Sequence, residues 1–396
     1  MQSKSRASIL SALLIFLIIA ACNASSIGVT NGTATPVPAA TNTPVPGNPV
    51  LPTDTTILTP STTPAPVASA TMAPSATLAP SATPAAVATD TAAPIPMPAN
   101  YIDDRSTPSQ VIVSLYNAIN RQEYLRAYNY WTNPASSLGS FPAYANGFQN
   151  TASVDLVFGQ ISGDAGMGQI YYTVPVILKT TAKDGTHANF AACYVVHQAR
   201  PELFGEPPFQ PMGIDRGSAK VSALNASDAS VLATACNGYP TGPNPFAASG
   251  TSLDISKNNF LDNRSGPIET VSSFLNALNL KQYVRSYYYF QNPGTYPGAF
   301  DPYAAGYANT GAINVVFGTV QSEGAAGSLY YKVPLALLVT TTSNTHQTFV
   351  GCYSLRLGQP SVQATPPFQP MGIIAGKFTQ VANGTNVNAL LPTACN

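Results

Sequence analysis

Five cysteines set the first limits on what this chain can do. Cys193 and Cys236 are separated by 43 residues, and Cys352 and Cys395 by the same interval. Zinc favours ligands in close sequence pairs, and neither interval supplies one. An even number of cysteines in an oxidising compartment argues instead for disulfides. Four cysteines allow three pairings. Equal spacing makes Cys193–Cys236 and Cys352–Cys395 the simplest, each closing a loop that stabilises the fold by roughly 3–4 kcal/mol. Cysteines bridged in this way cannot act as nucleophiles. The chain carries no Ser-His-Asp set, HExxH helix, phosphate loop or dinucleotide fingerprint. These residues therefore imply no catalytic group, metal or cofactor.

The fifth cysteine, Cys22, closes a leader. Lys4 and Arg6 give it a basic start, and the uncharged run from Ile9 to Ala21 is too short to span a bilayer comfortably. The run ends Ile19-Ala20-Ala21-Cys22, which resembles the lipobox of bacterial lipoproteins. The resemblance implies cleavage before Cys22 and a lipid on its thiol, hence an extracytoplasmic protein anchored to the cell membrane. Residues 1–21 are then the signal peptide. Residues 22–99 form the anchor and a Thr/Pro/Ala-rich stalk. From Asn23 to Ala99 there is no aromatic residue, Lys, Arg or Glu, so the stretch cannot offset the entropy of ordering and is expected to be disordered. Its prolines favour extended segments, and its Ser and Thr make O-glycosylation an option. Formal charge is zero and only 9% of residues are charged, which excludes a nucleic-acid surface.

Beyond the stalk the chain repeats itself at an offset of 159 residues. Asn117-Ala118 returns as Asn276-Ala277, and Phe158-Gly159 as Phe317-Gly318. Pro207-Pro208-Phe209-Gln210-Pro211-Met212-Gly213-Ile214 recurs unchanged as Pro366 to Ile373. A period this long means tandem domains rather than a solenoid. The copies span 100–237 and 259–396, and 238–258 is a Pro/Gly-rich linker. The residues just before the octapeptide differ throughout, so something holds the octapeptide itself: a structural turn, or a loop facing a ligand.

Each copy must position its side chains with the same elements. Thr107 caps a helix that opens at Pro108, with Ile112, Leu115, Tyr116 and Ile119 on one stripe. A second short helix carries Tyr124, Arg126 and Tyr128 and stops at Asn133-Pro134. A third helical or irregular piece carries Phe141, Tyr144 and Phe148. Strands are expected over Val154–Phe158, Ile170–Leu178, Phe190–His197 and Gly213–Val221, with a glycine loop at Gly163–Gly168 and a hairpin turn at Asp184-Gly185. Tyr172, Val174, Val176 and Leu178 should face the helices, while Thr173, which is Lys332 in the second copy, faces away. Pro175 and Pro334 imply an edge or a bulge. The pattern is α+β: N-terminal helices packed on a strongly curved antiparallel sheet, twice.

The helical opening Tyr116 to Tyr128, Tyr-Asn-Ala-Ile-Asn-Arg-Gln-Glu-Tyr-Leu-Arg-Ala-Tyr, resembles the start of nuclear transport factor 2-like domains. These are the cone-shaped folds shared with ketosteroid isomerase and SnoaL-type cyclases. The resemblance implies a pocket between sheet and helices, members that are enzymes and members that only bind, and pairing through the open face of the sheet. The two copies of this chain would then be able to dock on each other.

A working acid or base should appear in both copies. Asp155 becomes Asn314 and Glu123 becomes Gln282, so both fail. Asp103 and Asp262 lie beside Arg105 and Arg264, which suggests local ion pairs. Arg126 and Arg285 lie one turn from Tyr130 and Tyr289 and are expected to cover those rings. His187 and His346 remain. So do the aromatics Tyr128, Phe148 and Tyr172, with Tyr287, Tyr307 and Tyr331, which would line the cone pocket or simply fill the core. The expectation is a lipid-anchored, non-catalytic protein that binds a small ligand, a glycan or a partner protein. The alternative is an isomerase or dehydratase acting on a small apolar substrate.

Overall fold

The computed structural model describes residues 101–239, 242 and 253–396. The leader, Cys22 and the Thr/Pro/Ala-rich segment lie outside the described residues.

The first copy runs α1 (Pro108–Asn120), α2 (Tyr124–Tyr128), α3 (Pro134–Leu138), α4 (Phe141–Gly147), β1 (Thr151–Phe158), β2 (Ser162–Gly166), β3 (Gln169–Ala182), β4 (His187–Ala199), β5 (Gly213–Ser222) and α5 (Asp228–Ala235). The second runs α6 (Pro267–Asn279), α7 (Tyr283–Tyr287), α8 (Phe300–Gly306), β6 (Thr310–Phe317), β7 (Gln321–Ala325), β8 (Ser328–Thr341), β9 (His346–Gly358), β10 (Gly372–Val381) and α9 (Val387–Leu390). Both are α+β, each with one antiparallel sheet ordered β1-β3-β4-β5 or β6-β8-β9-β10.

Thr107 Oγ1 caps α1 by accepting from Gln110 N at 3.2 Å. The expected stripe of α1 is buried, and it joins Tyr172, Val174, Val176 and Leu178 of β3 in one core. Asn120 ties the C-terminal end of α1 to β1, bonding both N and O of Val154. Asn279 does the same to Ile313. These bonds explain why asparagine ends the helix in both copies. Thr173, expected on an open outer face, is buried, whereas Lys332 in the same place is exposed.

Two expectations need correcting. The glycine loop contains strand β2, which pairs with β3 from Ser162↔Thr173 to Gly166↔Gln169. Its glycines have low strand propensity, yet the ladder position is open because β1 ends at Phe158↔Val176. Pro175, expected at an edge or bulge, sits in the central strand β3. It stands opposite the gap between β1 and β2, where no ladder donor is required, and its carbonyl accepts from Gly159 N at 2.9 Å. Pro334 and Gly318 repeat this arrangement. A Cβ on Gly159 would come within 3.0 Å of the Pro175 ring. That close approach is why Phe-Gly recurs at this point.

Both disulfides form as the spacing suggests, Cys193–Cys236 and Cys352–Cys395. Cys193 lies on β4 between core-facing Ala192 and Tyr194, so its side chain leaves the outer face. The bridge therefore fastens helix α5, which the sequence pattern did not predict, to the side of the sheet away from α1. Ser227 caps α5 and Asp228 opens its first turn.

Candidate functional site

The two copies belong to one compact unit, and the segments just before α1 and α6 join them. Asp104 and Asn263 form an antiparallel bridge. Around it the bonds are reciprocal. Arg105 N donates to Asp262 O at 2.7 Å, and Arg264 N to Asp103 O at 2.6 Å. Asp103 N donates to Ser265 Oγ at 2.8 Å, and Asp262 N to Ser106 Oγ at 2.9 Å. Asn263 Nδ2 donates to Asp104 Oδ2 at 3.2 Å. Docking thus uses these short extended segments rather than the open sheet face implied by the resemblance. In the first copy the outer face carries α5. Part of the expected linker also belongs to the fold: Ile255 is buried in the second core, and its carbonyl accepts from Asn279 Nδ2.

The buried ionisable residues do their work at this junction. Arg126 is 1% exposed and Arg285 0%. Arg126 donates to Glu123 through Nε at 2.7 Å, to Ile102 O, to Tyr130 Oη at 3.3 Å and to Asn117 Oδ1 at 2.8 Å. Arg285 repeats the pattern with Gln282, Leu261 O and Asn276. The expected stacking partner is different. Arg126 lies over Tyr101 at 4.5 Å, while Arg105 covers Tyr130 at 4.5 Å. In the second copy Arg285 covers Phe260 and Arg264 covers Tyr289. The expected Asp103–Arg105 and Asp262–Arg264 ion pairs are absent among the described residues. The Asp103 carboxylate accepts instead from the hydroxyls of Tyr130 at 2.7 Å and Tyr101 at 3.4 Å. The Arg105 guanidinium donates to Met212 O at 2.7 Å and Asn129 O at 2.9 Å. Burial beside Asp103 pushes the Tyr130 hydroxyl well above its ordinary value, so it stays protonated and donating. Burial, with Asp262 and Asp103 nearby, raises the Asp104 carboxyl from 3.8 to about 6, against the opposing bonds from Ser106.

The recurring octapeptide serves this junction. Met212 O holds Arg105, and Met371 O holds Arg264. Phe209 packs on Tyr288 of the other copy, ring centroids 5.6 Å apart. A Cβ on Gly213 would meet Tyr130 O at 3.1 Å, and one on Gly372 would meet Tyr289 O at the same distance. Of the two expectations for this segment, the structural one describes these contacts. Asp103, Arg105, Tyr130, Asp262, Arg264 and Phe368 line a cavity of about 10 Å³, too small for an organic ligand.

The residues expected around a cone pocket pack on one another. Tyr128 meets Phe141 and Tyr144 with centroids 5.7 and 5.4 Å apart, and its hydroxyl donates to Gly139 O at 2.6 Å. Phe148 lies edge-on to Tyr144. Tyr287 meets Phe300 and Tyr303, and Tyr307 meets Tyr303. Tyr172 and Tyr331 are buried on the core face of the sheet. Burial raises both hydroxyls, that of Tyr331 to about 12. The Tyr331 hydroxyl has no hydrogen-bond partner among the described residues. His187 and His346 do not join the tyrosines. Both are exposed at the β3–β4 and β8–β9 hairpin ends, against Thr181 and Thr340. No helix of the described residues is long and apolar enough to cross a membrane.

Compared with protein-family models, with curated proteins and with solved structures, the chain matches none.

Proposed function

We propose that this is a lipid-anchored extracytoplasmic protein whose docked pair of nuclear transport factor 2-like domains works by binding rather than by catalysis. One observation carries the reading: the groups a cone active site would use are engaged in holding the fold. Arg126, Glu123 and Asp103 are tied into the junction, Tyr128, Tyr287 and Tyr307 pack against neighbouring rings, and the two hairpin histidines face solvent. A head built this way offers its outer surfaces to a partner. The two disulfides suit an oxidising compartment, and the Ile-Ala-Ala-Cys end of the leader suits lipid attachment there. The anchor would be two or three acyl chains on Cys22, and the stalk would hold the head away from the bilayer.

A second reading, isomerase chemistry, rests on the Tyr331 hydroxyl. It is a buried donor with no partner among the described residues, and burial keeps it protonated. Such a group could stabilise a developing oxyanion. Conjugation of a β,γ-unsaturated ketone, followed by ultraviolet absorbance, separates the two readings. The binding reading expects no acceleration over buffer by the mature chain. Acceleration that is lost in Tyr331→Phe would replace it with the enzymatic one.

A further inference from the structure

The two copies differ most tellingly on the outer face of the sheet, beneath the C-terminal helix. In the first copy β4, β5 and α5 enclose an open groove of about 610 Å³. Ser218, Lys220, Ser222, Ser230, Thr234 and Tyr239 line it. In the second copy the positions of Ser222, Ser230 and Val231 hold Val381, Ala389 and Leu390, and that of Ala191 holds Val350. There Val350, Ala336 and Leu391 form a small apolar cluster against which Val381 and Leu390 pack. One backbone plan therefore carries an apolar cluster in one copy and a groove with five hydroxyl-bearing side chains in the other.

We propose that this groove binds a neutral saccharide of one or two rings. The inference rests on the reading of the chain as an extracytoplasmic binding protein and names its ligand class. Its volume lies within the usual range for small-molecule sites. Five of the eleven lining residues carry a neutral hydroxyl, four are apolar, and Lys220 is the one charged side chain among them, a mixture that suits a polyhydroxylated, uncharged ligand. Ser222 Oγ has no hydrogen-bond partner among the described residues, so its bonding capacity is left for a ligand hydroxyl to meet after a χ1 rotation. Tyr239 supplies an aromatic surface for the C–H face of a sugar ring. It is held by a bond from its hydroxyl to Ser218 Oγ at 3.0 Å and by Arg216, 5.9 Å from the ring centroid. The Cys193–Cys236 bridge fixes the helical wall, so the groove keeps its shape without a ligand.

The test uses the mature chain with Cys22→Ser and its stalk retained. Maltose, cellobiose, lactose and N,N′-diacetylchitobiose serve as probes in saturation-transfer NMR, and any hit is titrated by calorimetry. At least one probe should bind, with dissociation constants of order millimolar. The triple variant Ala191→Val, Ser222→Val, Val231→Leu installs the side chains that the second copy already accommodates. It should melt like the parent and bind at least about tenfold more weakly. Tyr239→Ala, a change at the groove mouth, should weaken binding comparably and keeps the test valid should the triple variant misfold. Val381→Ser in the second copy should change nothing. The proposal is overturned if none of the four disaccharides shows transfer, or if binding survives both groove variants. Turnover of the unsaturated ketone would instead overturn the underlying binding reading.

Discussion

Asp104 is a junction residue whose ionisable group is lost in the second copy, where Asn263 stands in its place. Its carboxyl is held at about 6 rather than 3.8, chiefly by burial. That difference corresponds to about 3 kcal/mol between protonation states. The folded chain holds this proton more tightly than the unfolded one. The contribution is therefore fully present below about pH 4 and is lost as pH rises through about 6. Asp104→Asn removes the titration but also sets the new amide Nδ2 against Asn263 Nδ2, which now donates to Asp104 Oδ2 at 3.2 Å. Two donors facing each other cost about 1–3 kcal/mol. The variant should thus be about 1–3 kcal/mol less stable than the parent at pH 4. Near pH 8 the two effects roughly cancel and the stabilities converge. Urea unfolding followed through the single, buried Trp131, with circular dichroism for the rest of the chain, measures both. A variant-minus-parent difference that stays constant from pH 4 to pH 8 would refute the reasoning. The double change Asp104→Asn with Asn263→Asp exchanges donor and acceptor across the bridge and should recover stability near pH 4.

Four further outcomes are expected. Cys22→Ser should abolish fatty-acid labelling of the exported protein, and continued labelling would sink the lipobox reading. Replacing Cys193 and Cys236 by alanine should cost roughly 3–4 kcal/mol in chemical unfolding, with a similar loss for Cys352 and Cys395. Glu123→Gln should cost less than about 1 kcal/mol, because Gln282 already serves Arg285 in that place; Arg126→Met, which leaves Glu123 with Arg121 alone and takes the buried donor from Ile102 O, should cost about 3–5 kcal/mol. Fragments 100–242 and 253–396, expressed in an oxidising compartment, should each melt cooperatively and then associate, since each holds its own sheet and bridge. A fragment that stays molten until the other is added would make the pair one obligate unit.

Reading Tyr172, Val174, Val176 and Leu178 as the core face needed only a two-residue alternation, and the stripe of α1 needed only helical spacing. Both are short-range consequences of backbone geometry, and writing them twice removed most ambiguity. The disulfides were legible for a related reason: equal spacing in two copies selects one of three pairings. The partners of charged and aromatic side chains were not legible, because long side chains choose among groups that only the folded chain brings near. Arg105 reaches Met212 and Asn129, far along the chain, rather than the neighbouring Asp103. Strand β2 formed from glycines because the end of β1 left a ladder position unfilled, a tertiary circumstance that local propensity cannot report. The octapeptide announced by its identity that something constrained it. That the constraint is the grip of Met212 O on Arg105 and, across the copies, of Phe209 on Tyr288 depends on which surfaces meet, and this is decided by packing between residues far apart in the chain, beyond the reach of any local pattern.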